Sequence, residues 1–295
     1  MGFFDLNKKI WQWIILLLLA FIWGSSFILM KKGLSVYSHT VVAALRITIS
    51  FLFLLPFAIK HVKKVEKKYW KYIIASGFLG NGIPAFLFTK AQTEISSSLS
   101  GMLNSLTPLF ALIIGALLFK LKPGKTQVTG IIIGFIGAVG LISSNGLNLE
   151  NSNTSYTFYI VIATMCYAFS ANIIKTYLKE INPVAITSLA FLSIGPFAVS
   201  YLLTTDFISI THKNIYSINA ILYVAVLAIL GTAISVILFN LLLKTTTTLF
   251  ATSVTYLIPV FAIMWGVIDG ENINLLQLLS IIVILIGIYF INKFR

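Results

Sequence analysis

Charge is what this chain has least of. Of its 295 residues 10% are charged and 58% are hydrophobic, and the mean hydropathy is +0.98. A soluble domain carries about 25% charged residues, so this chain cannot cover a water-facing surface. Acid is scarcer still. The eight carboxylates are Asp5, Glu66, Glu94, Glu150, Glu180, Asp206, Asp269 and Glu271, and each falls between apolar runs or near the end of one. Cys166 is the sole cysteine, which excludes an intramolecular disulfide. It lies within an apolar run and reads as a small hydrophobe rather than a reactive thiol. His39, His61 and His212 are scattered, and no Walker or zinc-ligand spacing occurs, so the clustered chemistry of a membrane enzyme is missing. No metal and no cofactor is expected.

Long apolar runs are what the chain has instead. Ten can be marked: 13–30, 40–59, 72–91, 99–119, 128–144, 158–174, 184–204, 218–242, 251–268 and 275–291. Runs of about 20 residues match a hydrocarbon layer of roughly 30 Å. They are continuous, whereas a membrane β-barrel shows alternation in ten-residue segments. The expected fold is an all-α membrane protein of ten transmembrane helices. The start, "MGFFDLNKKIWQWIILLLLAFIW", resembles a signal peptide but has no small-x-small cleavage site, so an uncleaved first span is expected. Leu6 breaks the pattern for myristoylation of Gly2.

The net charge of +13 does not indicate nucleic acid, because the basic residues sit between apolar runs. One side of the expected membrane takes 16 of them, at positions 8, 9, 60, 63, 64, 67, 68, 71, 120, 122, 125, 175, 179, 244, 293 and 295. The other side takes four, Lys31, Lys32, Lys90 and Lys213, and Arg46 lies within the second span. The positive-inside rule then places both termini in the cytoplasm, in a cell (inner) membrane.

The second half repeats the first. At an offset of 151, residues 77–115 show ten identities, including Gly80 on Gly231, Pro108 on Pro259 and Gly115 on Gly266. At an offset of 144, Trp23, Ser26 and Lys31 fall on Tyr167, Ser170 and Lys175. With one gap, Gln127 and Gly137 fall on Gln277 and Gly287. Each half holds five spans, an odd number, so two similar halves enter the membrane from opposite sides. That is an inverted repeat, an architecture of secondary transporters. The expected units are 1–145, an external linker 146–157, and 158–295, arranged around a central cavity.

Four stretches carry a family resemblance: "WGSSFILMKKG" (23–33), "AALRI" (43–47), "LTPLFALIIGALLF" (106–119) and "LIPVFAIMWGVIDGE" (257–271), the last ending in the Gly270-Glu271 pair. Together they resemble the EamA-type, ten-helix members of the drug/metabolite transporter superfamily. The resemblance covers both halves. It implies that spans one, three, four, six, eight and nine surround the cavity. It also implies alternating access and the movement, often export, of small metabolites. After span four, "FKLKP" replaces the Gly-Glu pair.

Candidate solute contacts follow from the polar residues of those spans. They are Trp23, Ser26, Asn81, Asn104, Thr107, Tyr167, Asn172, Thr232, Ser235 and Tyr256, with Ser25, Ser170, Asn240, Thr252, Ser253 and Thr255 as further polar neighbours. Small hydroxylated residues also serve plain helix packing. Asn is costlier to leave unpaired in lipid. Trp23 and Tyr167 lie mid-span, to pack or to stack on a solute. Pro108 and Pro259 inside apolar runs would cost a helix roughly 3 kcal/mol each, and their repetition points to a hinge together with Gly80 and Gly231. Arg46 is an intramembrane charge with three open roles: solute contact, snorkelling, or a structural pair. Lys31 and Lys175, near span ends, are expected to snorkel. Lys90 and Glu94 have the spacing of a local pair.

No carboxylate lies well inside a span, and proton-coupled cation exporters ordinarily need one. The expected solute is therefore a neutral or zwitterionic metabolite, for which the resemblance implies an amino-acid-like molecule, with an anion open if Arg46 or a lysine reaches the cavity. A flippase for a lipid-linked headgroup is the alternative from another class. The expected partners are a small-molecule solute and membrane lipid. Oligomeric state is left open, and a monomer suffices in principle.

Overall fold

The computed structural model describes residues 9–122, 124–143 and 152–293, and these are all helices and short connections, with no strand among them. Fifteen α-helices follow in chain order: α1 Lys9–Leu34, α2 His39–Val62, α3 Lys67–Gly77, α4 Ile83–Ala91, α5 Ser97–Asn104, α6 Thr107–Leu118, α7 Lys125–Ser143 and α8 Ser152–Tyr177. Then come α9 Pro183–Leu203, α10 Phe207–Lys213, α11 Ser217–Ala228, α12 Ser235–Thr245, α13 Thr248–Thr252, α14 Ile258–Ile268 and α15 Leu275–Lys293. A π-helical turn, Phe78–Gly82, joins α3 to α4, and a second, Ile229–Ile234, joins α11 to α12. A 3-10 turn, Ser253–Tyr256, lies between α13 and α14.

Taken as continuous rods, eight helical segments among the described residues are long and apolar enough to cross a bilayer. The expected fifth and tenth spans are also helical, but their apolar stretches are shorter, Lys125–Leu141 and Leu275–Gly287. The expected sixth span begins at Ser152 rather than Phe158. Half of the expected linker is therefore helix, and its residues 146–151 lie outside the described residues. Helix starts follow sequence chemistry. Ser38 accepts from Val41 N, Ser96 from Leu99 N, and Asn182 from Val184 N, each satisfying an orphan donor of the first turn.

The two prolines correct the sequence reading. Pro108 stands in the first turn of α6 and Pro259 in the first turn of α14. There the missing N–H is an orphan in any case, and the fixed φ suits the helix. The 3 kcal/mol defect does not arise, because each apolar run is two helices. One break is at Ser105–Leu106, the other at the 3-10 turn. Among the described residues, Pro56 lies inside α2 and Pro196 inside α9.

Packing unites distant segments. α2 lies along α9, α7 along α15, α1 against α14 and α11, and α8 against α4 and α6. Small residues allow these approaches. A Cβ on Gly137 would lie 2.8 Å from Ile284 N, and one on Gly287 would lie 2.5 Å from Gly134 N, so α7 and α15 meet backbone to backbone. Among the described residues, two large apolar clusters form most of the interior, with three smaller ones beside them. One gathers Phe27, Met30, Leu99 and Leu227; the other gathers Leu16, Leu19, Leu189 and Leu242. Trp23 packs against both.

Candidate functional site

A cavity of about 110 Å³, measured by the space open to water centres, draws its wall from both large clusters. On that measure one water takes about 10–15 Å³, so roughly eight waters or one small solute fit.

Six of the expected solute contacts line it: Trp23, Ser26, Asn81, Asn104, Thr107 and Tyr167. Gly80, Gly231 and Arg46 line it too, as do Ser170, Asn240, Thr252 and Thr255. The other four expected contacts are not among the lining residues. Asn172 donates to Ala111 O and Ala168 O, both at 3.0 Å, and ties α8 to α6. Thr232 holds Arg46, Ser235 donates to Leu230 O within its own helix, and Tyr256 packs on the core. The side chain of Ser253 lies outside the described residues. Pro108 and Pro259 are buried one turn from the wall, while Asn104, Thr107 and Thr255 beside them reach it.

Two elements line the cavity that the resemblance did not imply. The second span contributes Arg46 and the seventh contributes Ile186, Thr187 and Ala190. Asn240 Nδ2 donates to Thr187 Oγ1 at 2.9 Å, which couples the seventh span to the eighth. No local signal marked Thr187, since a threonine in a membrane helix is ordinarily a packing residue.

Local backbone explains several positions. A π turn opens the i→i−4 ladder and exposes carbonyls. Trp23 Nε1 donates to Gly231 O at 2.9 Å within such a turn, while its ring packs at 5.3 Å from Phe239. Gly231 admits Ser26, whose Oγ would lie 2.6 Å from an added Cβ. Gly80, in the other π turn, admits Ser170 at 2.5 Å in the same sense. The Phe88 ring stacks on Tyr167 with centroids 5.8 Å apart.

The polar wall is incompletely paired. Asn104 Oδ1 and Asn240 Oδ1 are buried without a hydrogen-bond partner. Leaving such acceptors unmade costs about 1–3 kcal/mol each. Arg46 is the one charged residue on the wall. Its Nε–H donates to Thr232 Oγ1 at 2.7 Å, and the Tyr167 phenol lies beside the guanidinium.

Lys31 is elsewhere, at the Leu34 end of α1. It does not snorkel alone. Its ammonium lies 2.7 Å from Asp269 and 2.8 Å from Glu271, and Lys32 also pairs with Asp269. Glu271 further accepts from Ser97 N and Oγ at 3.0 and 2.7 Å, and from Ser98 N and Oγ at 3.0 and 2.6 Å. The Gly-Glu pair has a mechanical reason. Gly270 adopts φ +84°, a conformation glycine takes freely, and the turn carries Glu271 onto the start of α5. Burial opposes ionisation of Glu271, but the Lys31 ammonium and the donors of Ser98 and Ser97 outweigh it and hold the carboxyl down to about 2. Hydrogen bonds from Lys31 and Lys32 likewise keep the Asp269 carboxyl below its usual range.

The first half closes its corresponding turn without a carboxylate. Lys120 takes the positive φ, +58°, and Leu121 packs on Gly115 where the other half has Glu271 on Gly266. Lys175, the repeat partner of Lys31, donates to the carbonyls of Leu243 and Thr246. Lys90 does not pair with Glu94 among the described residues; its ammonium lies 5.3 Å over the Tyr156 ring.

Known proteins agree with this architecture. Over 287 residues the chain is 27% identical to a protein of Salmonella typhimurium named "Probable amino-acid metabolite efflux pump", covering 94% of this chain and 93% of that one. It is 23% identical to the "Uncharacterized inner membrane transporter YedA" of Escherichia coli, over 93% of this chain and 88% of that one. An "Uncharacterized transporter" of Archaeoglobus fulgidus is 26% identical over 60% of this chain, and the match spans 62% of that relative's length. One crystal structure shares the fold, with a TM-score of 0.68, 14% identity, and coverage of 97% of this chain and 98% of the other. The model of the EamA-like transporter family matches residues 10–143 and again 154–293. With a multi-pass helical body and both halves matched, the chain belongs to the EamA-like transporter family.

Proposed function

We propose that the protein moves small, polar, amino-acid-like solutes across the membrane by alternating access, in the direction of export. The observation that carries this reading is the cavity: one small-solute volume, deep in the helical body, whose largely apolar wall also presents uncharged polar side chains and one arginine. Its size favours a free metabolite over a lipid-linked headgroup. The name of the Salmonella typhimurium relative points the same way.

The transport cycle would rest on ten spans in two inverted halves. α7 and α15, at 19 residues each, are about 28 Å long, close to a hydrocarbon thickness. Repeat-related contacts support the symmetry. Ser26 meets Gly231 in one π turn, and Ser170 meets Gly80 in the other. The distribution of lysine and arginine supports cytoplasmic termini, and the Escherichia coli relative supports an inner membrane.

The test is reconstitution. Proteoliposomes holding the purified full chain are loaded with labelled neutral L-amino acids, and efflux is followed against protein-free vesicles. Protein-dependent efflux is expected. If amino acids stay put while a fluorescent lipid changes leaflet, the flippase reading replaces this one.

A further inference from the structure

We infer that the transported solute bears a carboxylate, and that Arg46 is the group that seats it; this rests on the transport reading above. A cation within a membrane helix is costly and ordinarily finds an anion. Arg46 lies seven residues into α2, roughly 10 Å from its start, enclosed by protein yet retaining surface because it faces the cavity.

Its protein partners are neutral. Thr232 Oγ1 accepts from Nε, and the same hydroxyl donates to Leu227 O at 3.0 Å, which fixes the lone pair offered to Arg46. The neighbouring Tyr167 offers a phenol rather than a carboxylate. Among the described residues the ion pairs join Lys31, Lys32, Lys68 and Lys179 to carboxylates, and none includes Arg46. The two lysines at the same end of the body, Lys31 and Lys32, are already committed to Asp269 and Glu271.

The cavity therefore presents a planar, permanently charged fork with no anion of the protein's own. A guanidinium of this kind matches a carboxylate through two parallel N–H···O bonds. Asn104 and Asn240 stand on the same wall, and each has a side-chain carbonyl without a partner, the kind of acceptor that an ammonium or a hydroxyl needs. An amino acid carries a carboxylate together with such a donor. So does a hydroxy acid. An amine without a carboxylate leaves Arg46 unpaired and adds a second positive charge.

The experiment uses the purified full chain and four small probes: L-alanine, alaninamide, ethylamine and lactate. Melting temperature in detergent reports binding, and competition against labelled L-alanine in proteoliposomes reports transport. L-alanine and lactate are expected to raise the melting temperature; alaninamide and ethylamine are not. Arg46→Gln should abolish that preference, and Arg46→Lys should raise the half-effective concentration about tenfold. Should Arg46→Gln fail to fold, Thr232→Val keeps the charge, frees the guanidinium from its tether, and should weaken L-alanine and lactate together. A response to lactate alone keeps the carboxylate seat and removes the amino-acid reading. Equal responses to L-alanine and alaninamide overturn the inference, as does a preference that survives Arg46→Gln. No response of the wild type to any probe overturns it as well.

Discussion

Lys31 Nζ and Glu271 Oε1 lie 2.8 Å apart, although 240 positions separate them in the chain. The contact ties the end of α1 to the turn after α14, and through Ser97 and Ser98 to the start of α5. Three connections are thus bound at one mouth of the helical body by charge. At the other mouth the corresponding lysine, Lys175, meets carbonyls, and the corresponding turn holds Leu121.

The Glu271 network sets an acid limit on stability. A carboxyl held near 2 when folded and near 4.5 when unfolded binds fewer protons in the native state. Stability from this group is full above about pH 4.5 and is lost as pH falls toward 2. Asp269, also held low, adds in the same direction. The melting temperature in detergent should therefore fall as pH drops from 6 to 3. The Glu271→Gln variant should start about 5 °C lower at pH 6 and show a flatter pH profile. An unchanged profile in the variant would remove Glu271 as the source.

Substituting Gly231 tests the π turn. Gly231→Ala places a Cβ 2.6 Å from Ser26 Oγ and 3.2 Å from Leu227 Cδ1, which forces local displacement. The expected cost is about 1–3 kcal/mol. Ser26→Ala in the same chain removes the nearest atom and should recover part of the melting temperature. Without such recovery, the close approach of α1 is not what excludes a side chain there.

Asn104 separates a binding wall from a core. Its Oδ1 is buried and unpaired, so Asn104→Leu removes an unsatisfied acceptor at similar volume. The melting temperature should hold or rise while efflux falls about tenfold. A core role would give the reverse, a lowered melting temperature with efflux intact.

The prolines make a kinetic prediction. Both stand where a helix begins, so Pro108→Ala and Pro259→Ala should each change stability by no more than about 1 kcal/mol. If the breaks beside them work as hinges, transport rate falls more than melting temperature does. Rates equal to wild type would leave the breaks as fixed bends.

Much of the frame could be read along the chain. Apolar runs, basic connections and the offset of 151 are one-dimensional properties. The Gly80 and Gly231 correspondence was legible as a repeat, but the two π turns that hold those glycines were not. The Lys31 contact was not legible, because its partners come from residues 269 and 271, and a lysine near a span end reads equally well as solvated. Arg46 was visible as an intramembrane charge, but a solute contact, a snorkelling side chain and a structural pair read alike along the chain.

What the sequence determined by itself is that this chain lives in a membrane as helices, in two related halves, since a bilayer sorts residues by composition and length. Which polar side chains share a cavity was decided by the tertiary structure alone. In water an amphipathic stripe tells a helix which face turns inward. In lipid both faces are apolar, so rotation about each axis is set by close packing, as where Gly195 of α9 meets Phe51 of α2. That rotation turned Arg46 and Thr187 toward the cavity, and Asn172 and Ser235 away from it.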